Sequence, residues 1–216
     1  MSTPCNVVVL ISGSGSNLQA LIDDLAAGDT PARIRAVISN RADAYGLVRA
    51  ANAGIPTQVL DHKAFASREA FDAALQEAID AYTPDLVVLA GFMRILTPAF
   101  VRHYHGRMFN IHPSLLPKYK GLDTHRRALD AGDAEHGCSV HFVTEELDGG
   151  ALVVQASTAV LPGDTPESLA QRVHGLEHRI YPLAVRWFAE GRLRLEGDGA
   201  MLDGESLLPT GRLIRS

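Results

Sequence analysis

Apolar residues in this chain come in short β-branched blocks separated by amphipathic stretches. Residues 6–12 (NVVVLIS) form a continuous apolar run, the pattern of a strand covered on both faces in a parallel sheet. A Gly/Ser turn and a helical pattern follow. Residues 33–39 (RIRAVIS) read as a second strand, 45–53 as a helix stopped by Gly54, and 56–60 as a third strand. Ser67 is placed to cap a helix that runs to Tyr82 and ends at Thr83-Pro84, ahead of a fourth, fully apolar strand over 85–91 (DLVVLAG). Thr97-Pro98 starts another helix, with Thr as N-cap and Pro at the first helical position.

A strand ending at His112 comes next, then a proline-rich loop and a helix near 125–131. Residues 137–144 (GCSVHFVT) alternate at period two and are expected to face solvent or a cleft on one side. Residues 151–160 supply a partner strand, turned by Asp148-Gly149-Gly150. Thr165-Pro166 opens a long amphipathic helix to about Glu190, and a polar tail over about 197–216 ends the chain. The order predicts the α/β class: a single-domain, Rossmann-like, doubly wound sheet over 1–216, mostly parallel, with antiparallel late strands.

Composition narrows the functional classes. A chain of 216 residues with 46% hydrophobic content can bury a full core. A formal charge of -5 argues against nucleic acid or a membrane surface as partner. No stretch reaches the ~20 apolar residues of a membrane span, and residues 1–4 are too short and polar for a signal peptide. A cytoplasmic location is expected. Cys5 and Cys138 share no paired spacing, which favours two reduced thiols over a disulfide or metal site.

The stretch Phe109-Asn110-Ile111-His112-Pro113-Ser114-Leu115-Leu116-Pro117 carries the most chemistry. In an extended strand residues i and i+2 share a face, so Asn110 and His112 project together while Phe109 and Ile111 point to the core. Pro113 reinforces the extended geometry. The pair sets an amide donor beside a titratable imidazole at a strand end; taken alone, it reads first as a structural Asn with a capping His. Asp148, in Leu147-Asp148-Gly149-Gly150, is either a turn residue or a carboxylate that favours a charged His112.

Gly13-Ser14-Gly15-Ser16-Asn17-Leu18 lies between the first strand and its helix, where main-chain N–H groups can hold an anion. Leu18 replaces the third glycine of a dinucleotide fingerprint and no P-loop lysine follows, so a phosphate monoester fits better than NAD or ATP. A tight turn with Asn17 as cap is the alternative. Phe92-Met93-Arg94-Ile95-Leu96 follows the fourth strand, at the end where open α/β sheets bind ligands; it is equally the start of the next helix. Arg68 is by default a solvated surface residue. His174-Gly175-Leu176-Glu177-His178 matches H-x-x-E-H, but lacks a third ligand, so a structural or substrate-contacting role for Glu177 stands ahead of zinc.

Taken together, the segments 12–19, 88–96 and 110–117 and the turn 147–150 resemble the phosphoribosylglycinamide formyltransferase family over about residues 6–193. The resemblance implies transfer of the formyl group of 10-formyltetrahydrofolate, the cosubstrate, to the glycine amine of glycinamide ribonucleotide in purine synthesis. It implies Asn110, His112 and Asp148 as the catalytic set. Gly15, Ser16 and Asn17 would hold the substrate phosphate, with Glu177 near the ribose. Arg68, Leu89, Phe92, Met93, Arg94, Ile95, Leu96, Val143 and Asp148 would surround the folate. The expected phosphate-binding half is N-terminal and the catalytic half C-terminal; the expected partners are the ribonucleotide and reduced folate, with no metal, nucleic acid or membrane, in a monomer or weak homodimer. Where family members often carry P-G-L-H-T-H, this chain has Lys120-Gly121-Leu122-Asp123-Thr124-His125. A formyltetrahydrofolate deformylase, which activates water with the same polar set, is the competing enzyme; a silent phosphosugar- or folate-binding module is the competing non-enzyme.

Overall fold

The computed structural model describes residues 3–216, which divide into two compact units between Phe109 and Asn110. In the first unit the elements alternate. They are β1 (Cys5–Ile11), α1 (Ser16–Ala26), β2 (Ala32–Ser39), α2 (Gly46–Asn52), β3 (Thr57–Val59), α3 (Arg68–Asp80), β4 (Leu86–Leu89) and α4 (Pro98–His103). The strands lie in the order β4-β1-β2-β3, all neighbours parallel. Val8, Val9, Leu10 and Ile11 of β1 and Leu86, Val87 and Val88 of β4 are fully buried, as expected of strands covered on both faces.

The helix starts follow the capping chemistry read from the chain. Ser67 Oγ accepts from Ala70 N at 3.0 Å and Thr97 Oγ1 from Phe100 N at 3.4 Å. Each replaces an intrahelical partner that a first-turn N–H lacks.

The boundary falls within β5 (Met108–His112). The second unit continues with α5 (Thr124–Asp130), β6 (Glu135–Phe142), β7 (Leu152–Ala159), α6 (Pro166–Ala189), β8 (Leu193–Glu196), β9 (Gly199–Leu202), β10 (Glu205–Ser206) and β11 (Arg212–Arg215). Here the order is β5-β6-β7-β11; β6 and β7 are antiparallel, and β11 joins β7 in parallel. The chain is thus α/β with mostly parallel strands and antiparallel pairing late. Thr165 caps α6 reciprocally with Ser168, whose hydroxyl accepts from Thr165 N at 3.0 Å.

Three expectations need correction. β6 presents no solvent-facing side: every residue from His136 to Phe142 is buried. Its polar side chains are satisfied inside, Ser139 donating to Ser114 O at 2.6 Å while accepting from Leu116 N at 3.1 Å and Gln155 Nε2 at 2.9 Å, so burial costs them little. In β5, Phe109 is fully buried but Ile111 only half so. The polar tail is folded: β8, β9 and β10 make a three-stranded antiparallel sheet, and β11 pairs with β7.

Candidate active site

His112 and Asp148 meet in the second unit. His112 ends β5, and its Nδ1 lies 3.6 Å from Asp148 Oδ2; both side chains are almost entirely buried. Asp148 sits in the left-handed region at φ 52 on the connection between β6 and β7, which lets the turn fold its carboxylate inward. Its Oδ2 also accepts from Gly121 N at 3.0 Å. Gly150 allows that turn to close, because a Cβ there would come within 1.7 Å of Phe142 O.

The imidazole has its other nitrogen engaged, Nε2 donating to Tyr119 O at 2.8 Å. Asn110, two residues earlier on β5, reaches His141 instead: its Nδ2 is 3.4 Å from His141 Nε2. His141 Nδ1 is 2.9 Å from Phe142 O. Burial lowers the His141 pKa below its ordinary value, so the ring is neutral; a carbonyl only accepts, which puts the proton on Nδ1 and leaves Nε2 to accept from the Asn110 amide. Asn110, His112, Asp148 and His141 thus form one connected polar group, with His141 Nε2 3.9 Å from Asp148 Oδ1. Sequence reasoning misses His141, which reads there as one more member of an alternating strand.

A cavity of about 510 Å³ opens beside Asp148, and its wall includes Asp198, Ala200 and Thr210 from the C-terminal segment. Lys120, at one departure from the family pattern, pairs with Glu146 at 2.7 Å and lines the same cavity. Asp123, at the other, occupies the N-cap of α5 at φ 59 with no side-chain cap bond. Val143 is half-buried on the same connection as Asp148. Glu177 is buried on α6; its charge adds to the burial that pushes the Cys138 thiol and the Tyr181 hydroxyl up. On that helix His174 is exposed and His178 half-buried.

The first unit holds the other two predicted groups. Gly15 is the N-cap of α1, at φ 72, and Ser16 and Asn17 open the helix. Asn17 is therefore not the cap. The requirement for glycine is steric as well as torsional, since a Cβ on Gly15 would stand 2.6 Å from Gly46 Cα. Gly46 N donates to Gly13 O at 3.0 Å and Arg49 Nε to Ser14 O at 2.8 Å, so α2 buttresses the loop.

The segment after β4 is irregular and not the start of a helix: Met93 and Ile95 are 70% and 64% exposed, and Phe92, Arg94 and Leu96 half-buried, while Leu89 is buried at the end of β4. Arg68 Nη2 donates to Ile95 O at 2.7 Å, and the Arg94 guanidinium lies 5.4 Å from the centre of the Phe71 ring. Arg68 therefore braces the segment. Ser12 ties it to the glycine loop, its Oγ accepting from Met93 N at 2.8 Å while donating to Asn40 Oδ1 at 2.5 Å.

Comparison with known proteins shows the family. The family profile described as formyl transferase matches residues 5–185. Phosphoribosylglycinamide formyltransferase of Escherichia coli K12 is 59% identical over 95% of this chain and 97% of its own length. The trifunctional purine biosynthetic protein adenosine-3 of Bos taurus is 50% identical over 89% of this chain, which corresponds to 19% of that larger protein. Among solved structures, phosphoribosylglycinamide formyltransferase of Coxiella burnetii superposes with a TM-score of 0.94 at 57% identity, covering 98% of this chain and 99% of that one. With identity of this order along nearly the whole length, the chain belongs to the formyl transferase family, among its phosphoribosylglycinamide formyltransferases.

Proposed function

We propose that this protein transfers the formyl group of 10-formyltetrahydrofolate to the amine of glycinamide ribonucleotide in purine biosynthesis; relatives along nearly its whole length are named phosphoribosylglycinamide formyltransferase. The observation that carries the reading is the connected group Asn110, His112 and Asp148, with His112 and Asp148 3.6 Å apart and shielded from water.

The glycine amine attacks the formyl carbon, the carbonyl oxygen becomes negative, and the bond from carbon to the folate N10 breaks as that nitrogen gains a proton. Charge appears on oxygen only in the transition state, so fixed donors in a low-dielectric site favour it over the ground state. Asn110 is the donor, and His112, whose two nitrogens are turned to Tyr119 O and Asp148, acts through the proton it passes. Asp148 faces that imidazole and relays the proton lost by the amine towards N10. Gly15, Ser16 and Asn17 bind the substrate phosphate with the first N–H groups of α1, and Glu177 accepts from the ribose. Arg68, Leu89, Phe92, Met93, Arg94, Ile95, Leu96, Val143 and Asp148 contact the folate. Phosphate recognition thus belongs to the first half of the chain and transfer chemistry to the second. No metal enters this scheme. The location is the cytoplasm, and the state in solution a monomer or weak homodimer.

A formyl-transfer assay that follows folate absorbance with and without glycinamide ribonucleotide tests the reading. Folate turnover should require the nucleotide and yield its formylated product. Equal turnover without the nucleotide would instead make the protein a deformylase.

A further inference from the structure

The loop between β5 and α5 meets the side chain of each member of the His112–Asp148 pair through its main chain. The Tyr119 carbonyl accepts from His112 Nε2 at 2.8 Å, and Gly121 N donates to Asp148 Oδ2 at 3.0 Å. The first contact has a chemical consequence. Because a carbonyl can only accept, it requires a proton on Nε2. Nδ1 then faces Asp148 Oδ2 at 3.6 Å.

The position of that carbonyl is enforced by side chains outside the site. Tyr119 is in the left-handed region at φ 57, rare for an aromatic residue. Its hydroxyl donates to Asp133 Oδ2 at 2.7 Å, and Lys118 Nζ lies 3.1 Å from the other oxygen of the same carboxylate. The Tyr119 hydroxyl, ahead of Lys118, holds the Asp133 carboxyl below the usual range, so it is a charged acceptor at neutral pH. Arg127 completes the frame: its guanidinium lies 5.2 Å from the Tyr119 ring centre, and its Nη1 donates to Lys120 O at 2.7 Å and Leu122 O at 3.1 Å. Asp133 thus anchors the ring whose own carbonyl meets His112.

We propose that Tyr119 and Asp133 are positioning residues for formyl transfer: by pinning the Tyr119 carbonyl they keep one proton on His112 Nε2 and leave Nδ1 facing Asp148. This rests on the reading of His112 and Asp148 as the transfer pair.

The test combines kinetics with ¹⁵N NMR of histidine-labelled protein, the His112 signals being identified by their loss in His112→Ala. Tyr119→Phe and Asp133→Ala both remove the anchoring hydrogen bond. Each should shift the His112 nitrogens towards a mixture of tautomers and lower kcat about fivefold or more, with KM for either substrate changed less than about twofold. Asp133→Asn keeps an oxygen for the tyrosine hydroxyl and should stay near the parent in both readouts. Unmoved His112 nitrogens in Tyr119→Phe and Asp133→Ala overturn the proposal, even if kcat falls, because the loss is then one of loop packing. Moved nitrogens with parental kcat overturn it too. Parental turnover in His112→Ala strikes the underlying reading instead, and leaves the tautomer result standing by itself.

Discussion

Replacing Gly15 by alanine should damage the protein in a way that replacing Gly13, two residues away, should not. Gly15 sits at φ +72, where an L-residue with a Cβ costs about 1–2 kcal/mol. The added Cβ would also stand 2.6 Å from Gly46 Cα and 3.5 Å from Arg49 Cδ. The first neighbour is backbone and cannot swing aside, so α2 must retreat, at a cost typical of overpacking of about 1–3 kcal/mol. Together these give roughly 2–5 kcal/mol, and at about 2–4 °C per kcal/mol for a chain of this size, a melting temperature lower by roughly 4–20 °C. A Cβ added at Gly13 would meet no atom within 4 Å, and Gly13 has no left-handed φ, so Gly13→Ala should melt within about 2 °C of the parent. The displacement of α2 in Gly15→Ala also tilts the first N–H groups of α1. If they hold the substrate phosphate, KM for glycinamide ribonucleotide should rise about tenfold or more in Gly15→Ala, the equivalent of about 1.4 kcal/mol of binding, while KM for the folate stays near parental. Differential scanning fluorimetry and steady-state kinetics on the two variants read both effects. Parental melting and parental KM in Gly15→Ala would refute the steric argument, and a folate-specific KM change would move the anion site elsewhere.

Asp148→Asn preserves shape but removes the charge 3.6 Å from His112 Nδ1; kcat should fall on the order of 10²–10³-fold, as when a transition-state stabiliser is lost, and a change confined to KM would make Asp148 a binding residue. Acid should destabilise the fold through His136, whose pKa burial and the neighbouring His125 pull down from 6.5 to about 4. Between those values the unfolded chain binds the proton and the folded one does not, so stability is full above pH 6.5 and falls, by on the order of 2 kcal/mol, as pH drops towards 4. Chemical denaturation at pH 7.5 and 5 should show this loss, and His136→Gln should flatten it; an unchanged slope in the variant would acquit His136. Exhaustive chelation should leave turnover intact, since two histidines on one helix without a third ligand rarely hold catalytic zinc; chelator-sensitive activity restored by added zinc would overturn this.

The parts of the fold that are legible in the sequence are those where local chemistry and tertiary demand coincide. Ser67, Thr97 and Thr165 announce helix starts because each satisfies first-turn N–H groups with its own side chain. The apolar blocks of β1 and β4 admit no reading but burial. In β6, by contrast, Ser139 and His141 read as outward-facing because polarity suggests exposure, whereas hydrogen bonds to Ser114, Gln155 and Phe142 make burial tolerable. The C-terminal strands are hidden by arginines and acids that pair with one another on exposed faces, as Arg192 does with Asp203. A signal is present nonetheless. Asp203-Gly204 between β9 and β10 is the two-residue hairpin turn, with φ 55 and 82 at its centre. Within the candidate site, spacing predicts that Asn110 and His112 act from one strand, but the partners supplied by main chain, Tyr119 O and Gly121 N, have no side-chain signature to read.

The placement of β11 bears on how the chain reaches its native state. β7 pairs on one side with β6, its hairpin neighbour, and on the other with β11, which arrives only after α6 and the three-stranded sheet. Until it does, β7 is an open edge whose next strand is distant in sequence, a contact that forms late because a long loop must close first. The approach is tight, for a Cβ on Gly211 would come within 2.8 Å of the Val153 main chain. At high chain concentration during refolding, the same open edge can pair with residues 212–215 of another copy. Strand exchange at β7 is thus the misassembly to which this topology is most exposed, and dilution during refolding is the condition that suppresses it.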